Sequence, residues 1–244
     1  MEIYLTKMVL NTQARKVWND LGNPQQLHRT ISGAFPKIDD QAHLPHHERR
    51  TPRGEFNLLH RLEFDSRNGK AVLLVQSSVR PDWSSLGEGY ADLIESKTLH
   101  DKYAGIANGM SLRFRLQANP TKRIGKSDNI ADAKFTDPDK RRRVDIRTDE
   151  GRIAWLKRKG EECGFRITGL KIKDSVENLA SVQQGKVEFR RERNAPKITF
   201  GSVVFEGVLQ VTDSDAFKNV LSRGIGTGKA YGFGLLSIAK SQNV

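Results

Sequence analysis

One cysteine, Cys163, occurs in the 244 residues. An intrachain disulfide and a zinc site built on cysteine pairs are therefore excluded, and a reducing compartment is the simplest home. No apolar run reaches membrane-spanning length, and the opening MEIYLTKMVL lacks the basic leader and apolar stretch of a signal peptide. A soluble, cytoplasmic protein with no membrane partner is expected. Aromatic residues make up only 7% of the chain, without an RNP-type aromatic platform. Base stacking along a single strand is accordingly a poor candidate for the main binding mode. Acid is also short relative to base, since 29 Asp plus Glu stand against 41 Lys plus Arg, a net charge of +12. Such a balance calls for a polyanion, with nucleic acid the leading class.

What the chain does have is glycine, concentrated near its end. SRGIGTGKAYGFGLLS at 222–237 carries Gly224, Gly226, Gly228, Gly232 and Gly234. A P-loop would need glycine five residues before Gly228 and Ser or Thr after Lys229, where Arg223 and Ala230 stand. A dinucleotide fingerprint fails too, because frames starting at Gly224 and Gly226 meet Lys229 and Tyr231 at the third glycine position. What remains is a loop with exposed backbone N–H groups and a lysine. It suits some other phosphate-bearing partner or a tight strand connection. No Gly-x-Ser-x-Gly elbow supports a serine hydrolase. His43, His46 and His47 with Glu48 superficially resemble a metal cluster, but Pro45 prevents the helical i, i+4 presentation and no cysteine is near. No metal or other cofactor is expected.

Periodicity predicts a strand over 3–10 and a helix over 12–21, where Ala14, Val17, Trp18 and Leu21 recur at helical spacing. Asn23 and Pro24 are placed to start a second short helix, QQLHRTISG. Segments 56–64 and 71–76 flank an Asn-Gly turn and read as a hairpin, with His60 a structural residue inside it. Residues 80–109 are polar and glycine-interrupted, with at most a weak helix. A second unit starts with SLRFRLQA at 111–118, followed by a helix over 150–163, strands at 165–172, 185–190 and 199–211, a helix capped by Asp213, and a last strand at 235–239. The second half thus begins strand, helix, strand and ends strand, helix, glycine turn, strand, which repeats the layout of the first half; a single mixed α+β domain is the plain alternative. The fold expected is α+β: two tandem ferredoxin-like βαββαβ domains with a C-terminal glycine-rich loop, at 1–90 and 110–244, joined by a linker at 91–109.

Basic residues cluster in the second half. Arg113 and Arg115 share one face of a strand, Arg141, Arg142 and Arg143 fall in a polar loop, and Lys157, Arg158 and Lys159 lie on a helix. This concentration favours a binding surface for structured nucleic acid over scattered solubilising charge, although a solvated face remains the plain alternative. Among the histidines, His28 differs because Gln25 and Ser32 sit one helical turn away and Arg29 is adjacent. Spacing alone does not distinguish it from an exposed surface histidine.

Several segments together are similar to the CasE family, the repeat-processing endoribonucleases of type I-E CRISPR systems. They are MEIYLTKMVL with the following Leu27-His28, SLRFRLQANPTK at 111–122, RIAWLKRKG at 152–160, FEGVLQVTD at 205–213 and GIGTGKAYGFGLLS at 224–237. The resemblance implies two ferredoxin-like domains that bind the CRISPR repeat stem-loop and cut precursor RNA at the base of the stem. The ribose 2′-hydroxyl attacks the adjacent phosphate without a metal, leaving a 2′,3′-cyclic phosphate. It also implies retention on the guide RNA beside the other subunits of the type I-E surveillance complex. His28 becomes the catalytic residue, with Gln25, Arg29 and Lys229 as possible helpers. RNA contacts are then expected from Arg113, Arg115, Lys122, Arg141, Arg142, Arg143, Lys157, Arg158, Gly226, Gly228, Lys229 and Gly232. One departure is Gln25, where family members often carry Tyr; an amide cannot transfer a proton as a general acid or base. A catalytically silent RNA-binding subunit of the same fold is the alternative.

Overall fold

A computed structural model describes residues 2–38, 51–65, 68–123, 143–168, 170–172, 176–178, 181–189 and 198–241. The first half forms β1 (Tyr4–Leu10), α1 (Arg15–Leu21), α2 (Pro24–Ser32), a short α3 (Pro52–Glu55), β2 (Leu59–Asp65) and β3 (Lys70–Ser77). A one-turn 3-10 segment (Trp83–Leu86) leads into β4 (Ala91–Thr98) and then α4 (His100–Ala104). The sheet order is β2-β3-β1-β4, antiparallel throughout. That is the βαββαβ arrangement, with its second helix reduced to the 3-10 turn. Met8, Leu10, Leu73 and Val75 face α1 and α2, and pack with Val17, Leu27 and Ile31.

The expected linker over 91–109 is corrected here, because its first eight residues are β4, paired to β1 from Tyr4↔Thr98 to Leu10↔Ala91. Asp92 through Thr98 are all exposed. An edge strand open on both faces is held by its backbone ladder, so it carries no alternation of apolar and polar residues to betray it.

The second half runs β5 (Ser111–Ala118), β6 (Thr121–Arg123), β7 (Arg143–Asp145), α5 (Asp149–Glu162), β8 (Phe165–Thr168), β9 (Leu170–Ile172), β10 (Val176–Asn178), β11 (Ser181–Phe189) and β12 (Ile198–Val211). Then come α6 (Ser214–Arg223), a 3-10 turn (Lys229–Tyr231) and β13 (Leu236–Lys240). β5 and β12 form the sheet centre, β13 is the edge beside β5, and both β8 and β11 pair along the outer edge of β12. The order repeats that of the first sheet, with the second strand split in two. The fold is α+β with tandem ferredoxin-like units. β6 and β7 form a separate ribbon, as do β9 and β10.

The alternation in β5 behaves as its sequence predicts, with Leu112, Phe114 and Leu116 buried and Arg113 exposed. Helix starts are equally local. Asp213 accepts from the backbone N–H of Asp215 and Ala216 to open α6, and Thr148 accepts from Gly151 to open α5.

The two sheets meet through buried polar groups. Arg61 of β2 is 3% exposed. Its Nε donates to Glu63 at 2.7 Å, and its terminal nitrogens donate to the Leu235 carbonyl at 3.0 Å, the Ser237 hydroxyl at 3.0 Å and the Arg115 carbonyl at 3.3 Å. Gln76 of β3 donates to the Leu221 carbonyl at 2.7 Å and accepts from the Tyr103 hydroxyl at 3.2 Å. Removing the guanidinium strands two carbonyls and a hydroxyl. Arg61→Met should lower the free energy of unfolding by about 3 kcal/mol, measured by urea denaturation; a loss under about 1 kcal/mol would show that the seam does not depend on it.

Candidate functional site

The site starts with the cap of α2. Asn23 has an extended backbone, and its side chain accepts from the N–H of Gln25 at 3.0 Å and Gln26 at 3.4 Å, while Pro24 pre-sets the first turn. Burial of Leu27 and Ile31 in the first core then fixes the rotation of the helix. His28, one step around from Leu27, is half-buried. Its ring stacks on that of His60, with centroids 6.2 Å apart and planes 18° from parallel. Gln25 and Ser32 are half-buried on the same helix and Arg29 is exposed.

His60, read from the sequence as a structural residue, is the ring beside His28. It lies in β2 opposite Val75, on the face that packs against the helices, and is 1% exposed. Burial pushes its imidazole down to about 3, and the positive charge that His28 can carry acts in the same direction. His60 is therefore neutral near pH 7. Alternation in LLHRLEF places it on the core side with Leu62, the only sequence signal available for it.

The glycine-rich loop closes the site from the second unit. All five of its glycines have positive φ, between 74° and 91°. Gly224 shows why: a Cβ there would lie 2.8 Å from the Gly234 carbonyl and from the Leu59 side chain. The loop doubles back tightly, as Ile225 N–H donates to Gly234 at 2.9 Å and Gly234 N–H to Gln117 at 2.8 Å. Its 3-10 turn packs against both α2 and β2. Gly232 ends that turn beside His60, where a Cβ would be 3.7 Å from Nε2. Lys229 donates to the Arg223 carbonyl at 2.7 Å, which ties the turn to the end of α6. Lys229 and Arg223 also line an open hollow of about 380 Å³ with Asn57, Leu58 and Leu59.

The other end of the loop opens onto a basic cleft of about 640 Å³. Lys122, Arg123, Arg143, Arg158 and Lys159 line it, together with Trp155, Gly226 and Thr227. Arg123 and Arg143 stand opposite each other in the β6–β7 ribbon. Four of the expected RNA contacts, Lys122, Arg143, Arg158 and Gly226, thus come together, while Gly228, Lys229 and Gly232 follow in the same loop. Arg158 also pairs with Glu162 at 3.0 Å. Lys157 is exposed on α5, and Arg113 is exposed on β5. Arg115 is differently engaged, between Glu63 of β2 at 3.2 Å and Glu206 of β12 at 2.5 Å. Arg141 and Arg142 lie outside the described residues, as do His43, His46, His47 and Glu48. Arg123, Trp155 and Thr227 carried no signal of their own; only the folded ribbon and loop bring them to the cleft.

A family model described as CRISPR associated protein matches residues 3–240. This chain belongs to the CRISPR-associated protein family. Among relatives in it, the CRISPR-associated endoribonuclease Cse3 of Thermus thermophilus is 36% identical over 241 residues, spanning 97% of this chain and 100% of that protein. The CRISPR system Cascade subunit CasE of Escherichia coli is 31% identical over 240 residues, spanning 97% and 99%. A structure of Cse3 bound to a 19-nucleotide RNA superposes with a TM-score of 0.75 at 35% identity, covering 98% of this chain and 100% of that one.

The depressed titration of His60 gives this CRISPR-associated chain a signature in acid. An unfolded histidine takes up its proton near pH 6.5 whereas native His60 refuses it down to about 3. The unfolded state thus binds more protons over that window, and stability falls as pH drops below 6.5. Between pH 7 and pH 5 the wild type should lose about 2 kcal/mol more than His60→Phe. Denaturant titrations at the two pH values check this, and equal losses would contradict it.

Proposed function

We propose that this chain is a metal-independent endoribonuclease that cuts CRISPR precursor RNA at the base of the repeat stem-loop and then stays on the product as a subunit of the surveillance complex. The observation that carries the reading is the position of the glycine-rich loop. One of its ends lines the basic cleft and the other packs on the helix of His28, so one RNA strand held by its phosphates passes from charge to imidazole. The names of the Thermus and Escherichia relatives, an endoribonuclease and a Cascade subunit, point the same way. In this assignment the first unit, 1–98, supplies His28, and the second, from 110 onward, supplies most of the RNA surface.

The chemistry follows from the substrate. A ribose 2′-oxygen forms a bond to the adjacent phosphorus, and the bond from phosphorus to the 5′-oxygen breaks. The products are a 2′,3′-cyclic phosphate and a 5′-hydroxyl. No metal is required, because the nucleophile is the RNA's own hydroxyl and the group to be moved is a proton. The His28 imidazole takes that proton or delivers one to the departing oxygen, a contribution of about 10²–10⁴-fold. Arg29 and Lys229 add positive charge for the phosphorane-like transition state. Gln25, in the place of the family's frequent Tyr, positions by hydrogen bonding and transfers no proton. Lys122, Arg123, Arg143 and Arg158 hold the stem through its backbone.

His28→Ala should lower single-turnover cleavage of the repeat hairpin by at least about 10²-fold in EDTA while hairpin affinity holds. Binding without cleavage by the wild type would instead support the silent-subunit alternative. Replacing Lys122, Arg143 and Arg158 with Ala together should weaken binding and reduce the slope of log K against log salt by up to about three. An unchanged slope would move the RNA off this cleft.

A further inference from the structure

His60 has no role in the reaction above, yet its placement asks for one. It is 1% exposed, and neither ring nitrogen meets a hydrogen-bonding group among the described residues. Buried polar atoms are normally satisfied, and an exception in a well-packed core calls for a reason. The surroundings of the ring offer one. Its plane runs near-parallel to that of the His28 imidazole, 6.2 Å between centroids and 18° from parallel. Gly232 borders its edge with no side chain to displace it. The backbone under His60 is held by the β2–β3 ladder, and the next residue, Arg61, is fixed by its bonds across the seam. This ring is a rigid object beneath a half-buried one.

We propose that His60 is a positioning residue for His28: its buried ring is the flat floor on which the catalytic imidazole rests, and it holds that ring in one orientation while the RNA is cut. The inference rests on the assignment of His28 made above. A histidine on a helix surface turns broadly about its last side-chain torsion, and a stacked neighbour removes that freedom. Proton transfer is sensitive to such aim, since displacement by about 1 Å can cost on the order of 10²-fold. The floor also carries no charge near neutral pH, because burial keeps His60 unprotonated. His28 can therefore accept a proton without repulsion from below. What the floor needs is flatness, not a titratable nitrogen.

The test compares His60→Phe, which keeps a flat neutral ring, with His60→Leu, which fills the space without one, and uses His28→Ala as reference. Single-turnover cleavage at saturating protein and hairpin affinity are read for each with the host repeat RNA. His60→Phe should stay within about threefold of wild type, and His60→Leu should fall at least about tenfold with affinity unchanged. Where His60→Leu does not fold, His60→Met takes its place with the same expectation. Wild-type cleavage by the folded non-aromatic variant overturns the inference, and so does an equal fall in His60→Phe. Full cleavage by His28→Ala would instead overturn the assignment of His28 itself, a separate failure visible in the same experiment.

Discussion

The Arg61 guanidinium is the contact on which the rest of the molecule turns. It leaves β2 of the first sheet and ends on the Leu235 carbonyl and Ser237 hydroxyl of the second, with Glu63 balancing its charge. Arg115 reinforces the same carboxylate from the other side and ties it to Glu206. A buried cation of this kind gives only modest net stability, because desolvation offsets much of the attraction. Its value is register: the bonds are satisfied in one docking of the sheets and broken in others. His60 and Arg61, adjacent in sequence, point to opposite faces of β2, so the residue that fixes the seam also fixes the floor of the site.

From that docking the glycine-rich loop acquires its place. The loop begins at the end of α6 and returns to β13, the strand that Arg61 grips, so its path over α2 and β2 is set by the seam. Positive φ values let it fold back within a few residues, and the absence of side chains lets it lie against Leu59, Trp155 and His60. The same compactness exposes Gly226 and Thr227 to the basic cleft. In the proposed reaction, charge for the phosphates and an imidazole for the proton thus belong to different sheets, and one loop spans them. The cost is a buried histidine whose nitrogens have no partner among the described residues and whose protonation burial opposes, which makes the fold weaker in acid.

Local signals in the chain were legible wherever a local interaction decides the structure. The Asn23-Pro24 start of α2, the Asp213 cap of α6, the Asn68-Gly69 turn and the alternation of β5 all form as read, and a layout of strands and helices repeated in the two halves was enough for the tandem ferredoxin-like arrangement. β4 was missed because an edge strand exposed on both faces has no periodic pattern. The site was half legible. The glycine-rich loop stood out in the sequence and His28 was singled out by a family resemblance, but no spacing rule links residue 28 to residue 60 or residue 123 to residue 226. Arg115 makes the same point in reverse, since a strand arginine reads as a free cation until Glu63 arrives from another sheet.

In the proposed function RNA is cut at the seam between the first sheet's helix and the second sheet's glycine-rich loop. A structure of the protein with a repeat hairpin carrying a 2′-deoxy nucleotide before the scissile phosphate tests it most directly, because that substitution removes the nucleophile and leaves the phosphate in place. That phosphate is expected within hydrogen-bond reach of His28, beside the Lys229–Tyr231 turn, with the stem in the Lys122, Arg143 and Arg158 cleft. A scissile phosphate seated away from the α2 face would contradict it.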